Sequence, residues 1–304
     1  MQSHHVNGAR FFWVTILNIL ITIAEILGGI FSGSLALLSD AFHNLGDSLS
    51  IMMGYFAQVI GSRPETERRT YGYRRAEILS AFLNSLFLII ISVFLIVEAI
   101  RRLFHPQPID GMLMLVVAVI GLVANLVSAL LLQRGSHDSL NIKATYLHIL
   151  SDALSSIGVI IGACVITLWH IYWLDPLLTV AVALYICYEA CPIIHQTLSI
   201  LMQSSPKLDF DQIKTDMTAI EGVIGVHHVH AWMIDEHRII FSAHINLYDM
   251  PLSLVEPIYR QIETLLKKKY HICHITIQAE VERGIEEPLF NTPVDKATTS
   301  DDVD

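Results

Sequence analysis

The segment His43–Ser50 reads HNLGDSLS, and the segment His148–Ser155 reads HILSDALS. Both follow the pattern H-x-L-x-D-x-L-S, and both lie within apolar runs long enough to cross a bilayer as a helix. Residues four apart share one face of a helix, so each segment points one imidazole and one carboxylate in the same direction. An Asp at the bilayer centre costs about 2.5 kcal/mol or more, so such residues persist where they face a partner, a cavity or an ion.

The two segments together predict a four-residue metal site inside the membrane. Two imidazole nitrogens and two carboxylate oxygens suit tetrahedral Zn²⁺. If the two helices run antiparallel, a rise of about 1.5 Å per residue puts both aspartates near the midplane. The predicted ligands are His43, Asp47, His148 and Asp152. Two other interpretations remain: structural hydrogen-bonded His–Asp couples between packed helices, and a proton-conducting relay.

Three further polar residues lie in the first two apolar runs. Asp40 shares a helix face with His43 and Asp47, so we expect it to line the access path to the site. Asn18 and Glu25 lie seven residues apart on one face of the first run. They are predicted either to line the path or to form hydrogen bonds between helices, and the sequence favours neither.

The composition is that of a membrane protein. The chain has 304 residues, of which 53% are hydrophobic and 16% charged, whereas soluble domains carry about 25% charged residues. Six apolar runs are predicted to span the bilayer: Phe11–Phe31, Leu35–Ile60, Ile78–Ile100, Met112–Leu132, Ala144–Leu168 and Leu174–Leu201. Basic residues concentrate in the loops after the second and fourth runs, which predicts that both termini are cytoplasmic.

Beyond the sixth run the sequence has the composition of a soluble α+β domain. Its predicted order is helix, strand, strand, helix, strand: Phe210–Glu221, Val226–Ile234, Arg238–Leu247, Leu254–Lys269 and His274–Glu280. We therefore predict an all-α membrane domain over residues 1–203, an α+β domain over 204–282 and an acidic disordered tail over 283–304. The net charge of −10 excludes the basic surface expected of a nucleic-acid-binding protein.

Four segments carry a resemblance to a known family. They read SLALLSDAFHNLGD at 34–47, YGYRRAE at 71–77, YLHILSD at 146–152 and VHHVHAW at 226–232. In these segments the chain resembles the cation diffusion facilitators, and within them the bacterial zinc exporters of the CzcD/ZitB type. The resemblance implies a homodimer that exchanges cytoplasmic Zn²⁺ for protons by alternating access through His43, Asp47, His148 and Asp152. It also implies a ferredoxin-like fold for the cytosolic domain.

The resemblance further implies a second zinc site in the cytosolic domain, formed by His227, His244 and Glu280. Strand alternation separates His227 from His228, and we expect His227 to precede the regular strand, which would remove that conflict. His230 and His274 are further candidate ligands. The alternative is that these histidines are solvated surface residues, since their spacing forms no compact zinc finger.

The predicted activity is zinc/proton antiport, with cadmium and cobalt as possible further substrates and no nucleotide. Zinc binding requires neutral imidazole and ionised carboxylate, so protons and metal compete for the same site. The main alternative is an intramembrane metalloenzyme, but the sequence has no HExxH motif, and four protein ligands would leave no open metal position. A metal-sensing receptor is a further alternative. The histidine-poor loops favour a bacterial inner membrane.

Overall fold

The computed structural model describes residues 3–133 and 140–290, and it describes the side chains over 16–131 and 149–290. The first part consists of six long helices, each of which coincides with a predicted run. They are α1 (Ser3–Ser32), α2 (Leu35–Gly61), α3 (Arg75–Phe104), α4 (Gly111–Gln133), α5 (Leu140–Trp169) and α6 (Leu174–Leu201). The helices are longer than the predicted apolar runs. For example, polar residues predicted to lie in the preceding loops form the first turns of α3 and α5.

Within the described side chains, four of these helices contain segments long and apolar enough to cross a membrane, namely Arg75–Phe104, Gly111–Leu131, Ile149–Trp169 and Leu174–Leu201. Within its described side chains, α1 has the shorter apolar segment Ile16–Ser32. Helix α2 is not among the four, because polar residues such as Asp40, His43 and Asp47 interrupt its apolar sequence. Large apolar side chains are exposed around the helices, including Phe31 at 74% and Phe94 at 67%. Such a surface is stable against lipid rather than water, so this part is an all-α membrane region.

Small residues let the helices approach closely. A Cβ added at Gly28 would lie 2.7 Å from Val117 of α4, and one added at Gly46 would overlap Leu88 of α3. A Cβ at Gly162 of α5 would likewise overlap Leu178 of α6. Helices in lipid gain their packing energy from close van der Waals contact, since lipid chains are as apolar as leucine. The glycines therefore hold α2 and α5 in contact with their neighbours.

The amino-terminal end of α2 is capped by a residue from α6. Asp175, which is fully buried, accepts a hydrogen bond from the Ser34 hydroxyl at 2.5 Å and from the backbone N–H groups of Leu35 at 2.9 Å and Ala36 at 3.1 Å. A carboxylate is favourable here because the first N–H groups of a helix lack partners within the helix and carry partial positive charge. This cap fixes where α2 begins.

The second compact unit comprises Gly61–Ile78 together with the residues from Gln196 onward. It contains α7 (Phe210–Thr218), β1 (Val223–Met233), β2 (Ile239–Leu247), α8 (Leu252–Tyr270) and β3 (Ile272–Glu280). The sheet order is β1-β2-β3, with β1 antiparallel and β3 parallel to β2, so α8 is the crossover between parallel strands. The predicted α+β order is confirmed. Helix α7 ends at Thr218 rather than at the predicted Glu221, and Gly222, at φ +97°, directly precedes β1.

Helices α7 and α8 cover one face of this sheet. Between these helices and the sheet lies a core that includes Met217, Phe241, Ile245 and Ile262, all of them fully buried. Asp216 joins α7 to the end of α8, because it accepts hydrogen bonds from Lys269 and Tyr270. These bonds, together with one from Gln212, lower the pKa of Asp216 to about 2. The opposite face of the sheet is left for polar side chains.

We predict that Asp175→Ala destabilises the membrane unit by more than about 3 kcal/mol, because each buried donor left without an acceptor costs about 1–3 kcal/mol. The measurement is denaturant unfolding of the protein in detergent micelles. The matched control is Asp110→Ala, since exposed Asp110 caps α4 by accepting from the N–H groups of Met112 and Leu113. Its loss should cost only about 1 kcal/mol. Equal losses for the two variants would contradict the buried cap.

Candidate metal sites

The structure brings together three of the four residues predicted for the membrane site. The His43 Nε2 atom lies 3.7 Å from Asp47 Oδ2 and 3.7 Å from Asp152 Oδ1. One possible ligand atom from each of the three residues lies within 4.8 Å of those of the other two. Asp152 is buried and the other two are half-buried. One imidazole and two carboxylates from α2 and α5 thus surround a space suited to one divalent cation.

The fourth predicted ligand, His148, lies outside the described side chains, although its backbone belongs to α5. It precedes Asp152 by four residues, so the two share a face of this helix. Its place in the ligand set stays a prediction.

Asp40 lies beside the three-residue group and joins α2 to α5. It is 3% exposed and accepts hydrogen bonds from the hydroxyls of Ser155 at 3.1 Å and Ser156 at 3.5 Å. These bonds satisfy both of its oxygens within the helix pair. The role predicted for Asp40, lining the access path, stays a prediction.

A cavity of about 450 Å³ adjoins His43 and Asp152 and is also lined by α6. In that lining Tyr185 donates its hydroxyl to Glu189 at 2.5 Å. The sequence interpretation did not include this pair. The sequence could have indicated this pair by its i,i+4 spacing within an apolar helix, which is also the spacing of His43 and Asp47.

The two polar residues on one face of α1 both form hydrogen bonds to α2. Asn18 donates to the Ser48 hydroxyl at 3.2 Å, and Glu25 accepts from the Asn44 side chain at 2.8 Å. Of the two uses open to these residues, the structure therefore shows hydrogen bonding between helices.

The predicted cytosolic ligands also come together, on the face of the sheet opposite the helices. Glu280 lies between the two imidazoles: its Oε2 is 3.1 Å from His227 Nε2, and its Oε1 is 3.2 Å from His244 Nδ1. His227 is 2% exposed and Glu280 9%. Gln278 donates to Glu280 Oε1 at 2.6 Å and so fixes the carboxylate. His227 and Glu280 are therefore buried and His244 is half-buried, so the three are ligand candidates rather than freely solvated side chains.

The prediction that His227 precedes the regular strand is wrong. His227 does not precede the strand but lies within β1, where it pairs with His244 of β2. The register is interrupted between His227 and His230, and His228 has a φ of 51°. A β-bulge of this kind adds one residue and restores the alternation after it. His227 and His230 thus both point away from the core, with buried Val226 and Val229 on the other face.

The other two candidates lie apart from this group. The His230 ring is exposed and contacts the His228 ring at a centroid distance of 4.9 Å. The His274 ring is exposed and contacts Tyr71 edge-on at 6.0 Å. Neither belongs to the group of possible ligand atoms formed by His227, His244 and Glu280.

The residues of the cytosolic group fit a zinc ion. Two imidazoles and one carboxylate are ordinary zinc ligands. The Nε2 atom of His227 faces Glu280 and is positioned to bind the ion, whereas its Nδ1 atom is buried without a hydrogen-bond partner among the described residues. Gly284, at φ +69°, passes so close to His227 that an added Cβ would overlap its imidazole. The loop after β3 therefore needs glycine at this point.

With both sites described, the chain can be assigned to a class of protein. It belongs to the cation efflux family: the family model described as the cation efflux transmembrane domain matches residues 11–202. A second model, the cytoplasmic domain of cation efflux proteins, matches residues 205–282. The resemblance read from four sequence segments is thereby confirmed. The chain is an integral-membrane transporter and not an enzyme.

Curated relatives match nearly the whole chain. The "Zinc transporter ZitB" of Pectobacterium atrosepticum is 36% identical over 280 residues, which cover 91% of this chain and 87% of the relative. The "Cadmium, cobalt and zinc/H(+)-K(+) antiporter" of Bacillus subtilis is 37% identical over 289 residues, 93% of each chain. The "Metal cation efflux system protein CzcD" of Cupriavidus metallidurans is 34% identical over 260 residues, 85% and 82% of the two chains.

We predict that Gly284→Ala weakens zinc binding at the cytosolic group by about 10- to 100-fold, the range seen when residues that orient metal ligands are changed. The added methyl group displaces the His227 ring. Titration of the full chain with zinc, in the background Asp152→Ala to silence the membrane site, measures the effect.

Gly72→Ala is the matched control for this variant. Gly72 has a φ of +70°, so alanine at either position strains the backbone in the same way, but the Cβ added at Gly72 would make only ordinary contacts, with Arg63 O at 3.6 Å and Glu65 Cγ at 3.9 Å. The same zinc affinity in the two variants would show that the contact with His227 has no part in metal binding.

Proposed function

We propose that this protein exports zinc from the cytoplasm in exchange for protons. The observation that carries the proposal is the meeting of His43, Asp47 and Asp152 inside the helices of a cation efflux protein. Relatives over most of the chain are named as transporters of zinc and of cadmium, cobalt and zinc. His148, on the same face of α5 as Asp152, would complete a tetrahedral ligand set.

Proton coupling follows from the chemistry of these ligands. Zinc binds neutral imidazole and ionised carboxylate, so loading releases protons and protonation releases zinc. When the site opens towards near-neutral cytoplasm, loading is favoured. When it opens towards a more acidic compartment, protons displace the metal, and the proton gradient drives export by alternating access. The relative from Bacillus subtilis has a name that includes proton antiport.

The cytosolic group is proposed as a second zinc site that is not part of the transport path. His227, His244 and Glu280 supply three ligands, and a fourth position is open to water or another donor. We also propose a homodimer in a bacterial inner membrane with both termini cytoplasmic. The proposed divisions of the chain are 1–203 for transport, 204–282 for cytosolic metal binding and 283–304 for the acidic tail.

The interpretations of the membrane site that need no metal are less well supported. A purely structural couple requires one imidazole and one carboxylate, whereas His43 has carboxylates from two helices within 3.7 Å. A proton relay would use the same residues but would not need three ligand atoms around one point. Zinc dependence of the proton flux separates these possibilities.

Asp152→Ala should abolish zinc-driven proton flux in proteoliposomes, because it removes the buried carboxylate that α5 contributes to the site. Asp110→Ala, which removes an exposed carboxylate of the same membrane unit, is the control and should retain flux. Flux at the level of the unmodified protein in Asp152→Ala, at equal amounts of reconstituted protein, would refute the proposed transport site.

His43→Asp should broaden metal selectivity without abolishing transport. The substitution keeps a ligand at the same position of α2 but replaces a borderline nitrogen ligand, well matched to zinc, by a harder oxygen ligand that tolerates larger or differently coordinated ions. Cadmium or manganese uptake should rise relative to zinc, measured by competition in everted vesicles. Unchanged selectivity would mean that His43 does not contact the metal.

A further inference from the structure

Glu25 is a buried acidic residue that the proposed zinc site does not use. It lies on α1 and is 1% exposed. One oxygen, Oε2, accepts from the Asn44 side chain at 2.8 Å, whereas Oε1 has no hydrogen-bond partner among the described residues. That oxygen faces α4 at Gly121, where an added Cβ would lie 2.6 Å away. Glycine at this position therefore makes the room that the carboxyl group occupies.

The charged groups near Glu25 are negative, as an ionised Glu25 would be. The titratable groups that act on it are Asp40 of α2 and Asp152 of α5, and Gly121 of α4, which lies against its Oε1 atom, carries no charge. Among the described side chains no lysine, arginine or histidine forms an ion pair with it. An ionised carboxylate in a dry site without a countercharge is very costly, and a proton neutralises it.

The surroundings of Glu25 suit a proton better than a metal ion. Asn44 presents its N–H₂ group to Glu25, and a donor group repels a cation. The unpartnered Oε1 atom provides a single free oxygen, while hard cations require several oxygen ligands. A carboxylic O–H needs only this one position.

Glu25 is also linked to the zinc site through α2. Asn44 directly follows His43, and Asp40 lies one turn earlier on the same helix. When zinc neutralises Asp152, the negative charge acting on Glu25 falls, and its ionised form becomes less costly. Zinc loading therefore favours loss of a proton from Glu25, and zinc release favours its return.

We propose that Glu25 is a proton-binding residue of the exchange cycle, separate from the zinc ligands. This proposal rests on the proposed zinc/proton antiport. In each cycle the Glu25 carboxylic acid loses its O–H proton to water when zinc binds, and the carboxylate regains one proton after zinc leaves. No other bond is formed or broken at this residue.

The test is the number of protons released when zinc binds to the full-length protein in detergent. Glu25→Gln keeps the size of the side chain and an oxygen for Asn44 but cannot ionise. Proton release at zinc saturation should fall by about one proton per protein chain in this variant, while zinc still binds. Glu98→Gln is the matched control, because Glu98 is paired with Arg102 at 3.2 Å and should release no proton. Unchanged proton release in Glu25→Gln would overturn the proposal.

Infrared difference spectra give a second readout, which does not require the protein to transport zinc. The zinc-free protein should show the carbonyl stretch of a protonated carboxylic acid, which zinc diminishes and Glu25→Gln removes. Persistence of that zinc-sensitive band in the variant would also overturn the proposal. A lack of zinc-driven proton flux in the unmodified protein would instead refute the antiport itself.

Discussion

Within α2, polar side chains that would be hydrated in a soluble protein have to find partners inside a bundle of membrane helices. Each unpaired polar group in such surroundings costs several kcal/mol, so their positions are decided by what the neighbouring helices offer. Asn44 pairs with α1 and Asp40 with α5. His43 and Asp47 meet Asp152 of α5. Satisfying the polar residues of α2 therefore also assembles the metal site.

The same requirement explains how α2 is held at its end. Asp175 supplies the acceptors that the first N–H groups of α2 lack, and Arg102 of α3 donates to the Gly33 carbonyl just before the helix. Close contacts at glycines such as Gly46 leave little freedom for sliding along a neighbour. The ligands on α2 are thus positioned by contacts to α1, α3, α5 and α6, and most of these contacts are polar.

In the soluble unit the solution is different because a sheet, not a bundle, positions the ligands. Pairing of β1 with β2 brings His227 opposite His244, and parallel pairing of β3 with β2 brings Glu280 alongside them. The bulge at His228 and the close approach of Gly284 adjust the position of the His227 ring. Both sites combine imidazole with carboxylate, and in both a carboxylate from another element closes the group.

The sequence by itself determined the helices, the order of helices and strands along the chain and the pairing of His43 with Asp47, because these depend on local periodicity and on residue spacing. Four matching segments indicated the family. It also indicated both ligand groups, the cytosolic one through family resemblance. It could not decide between the two uses of Asn18 and Glu25, and it gave the wrong reason for the orientation of His227. It gave no indication of the cap from Asp175 or of the room that Gly121 provides for Glu25. Those features depend on contacts between residues far apart in the chain, and only tertiary packing determines which distant atoms meet.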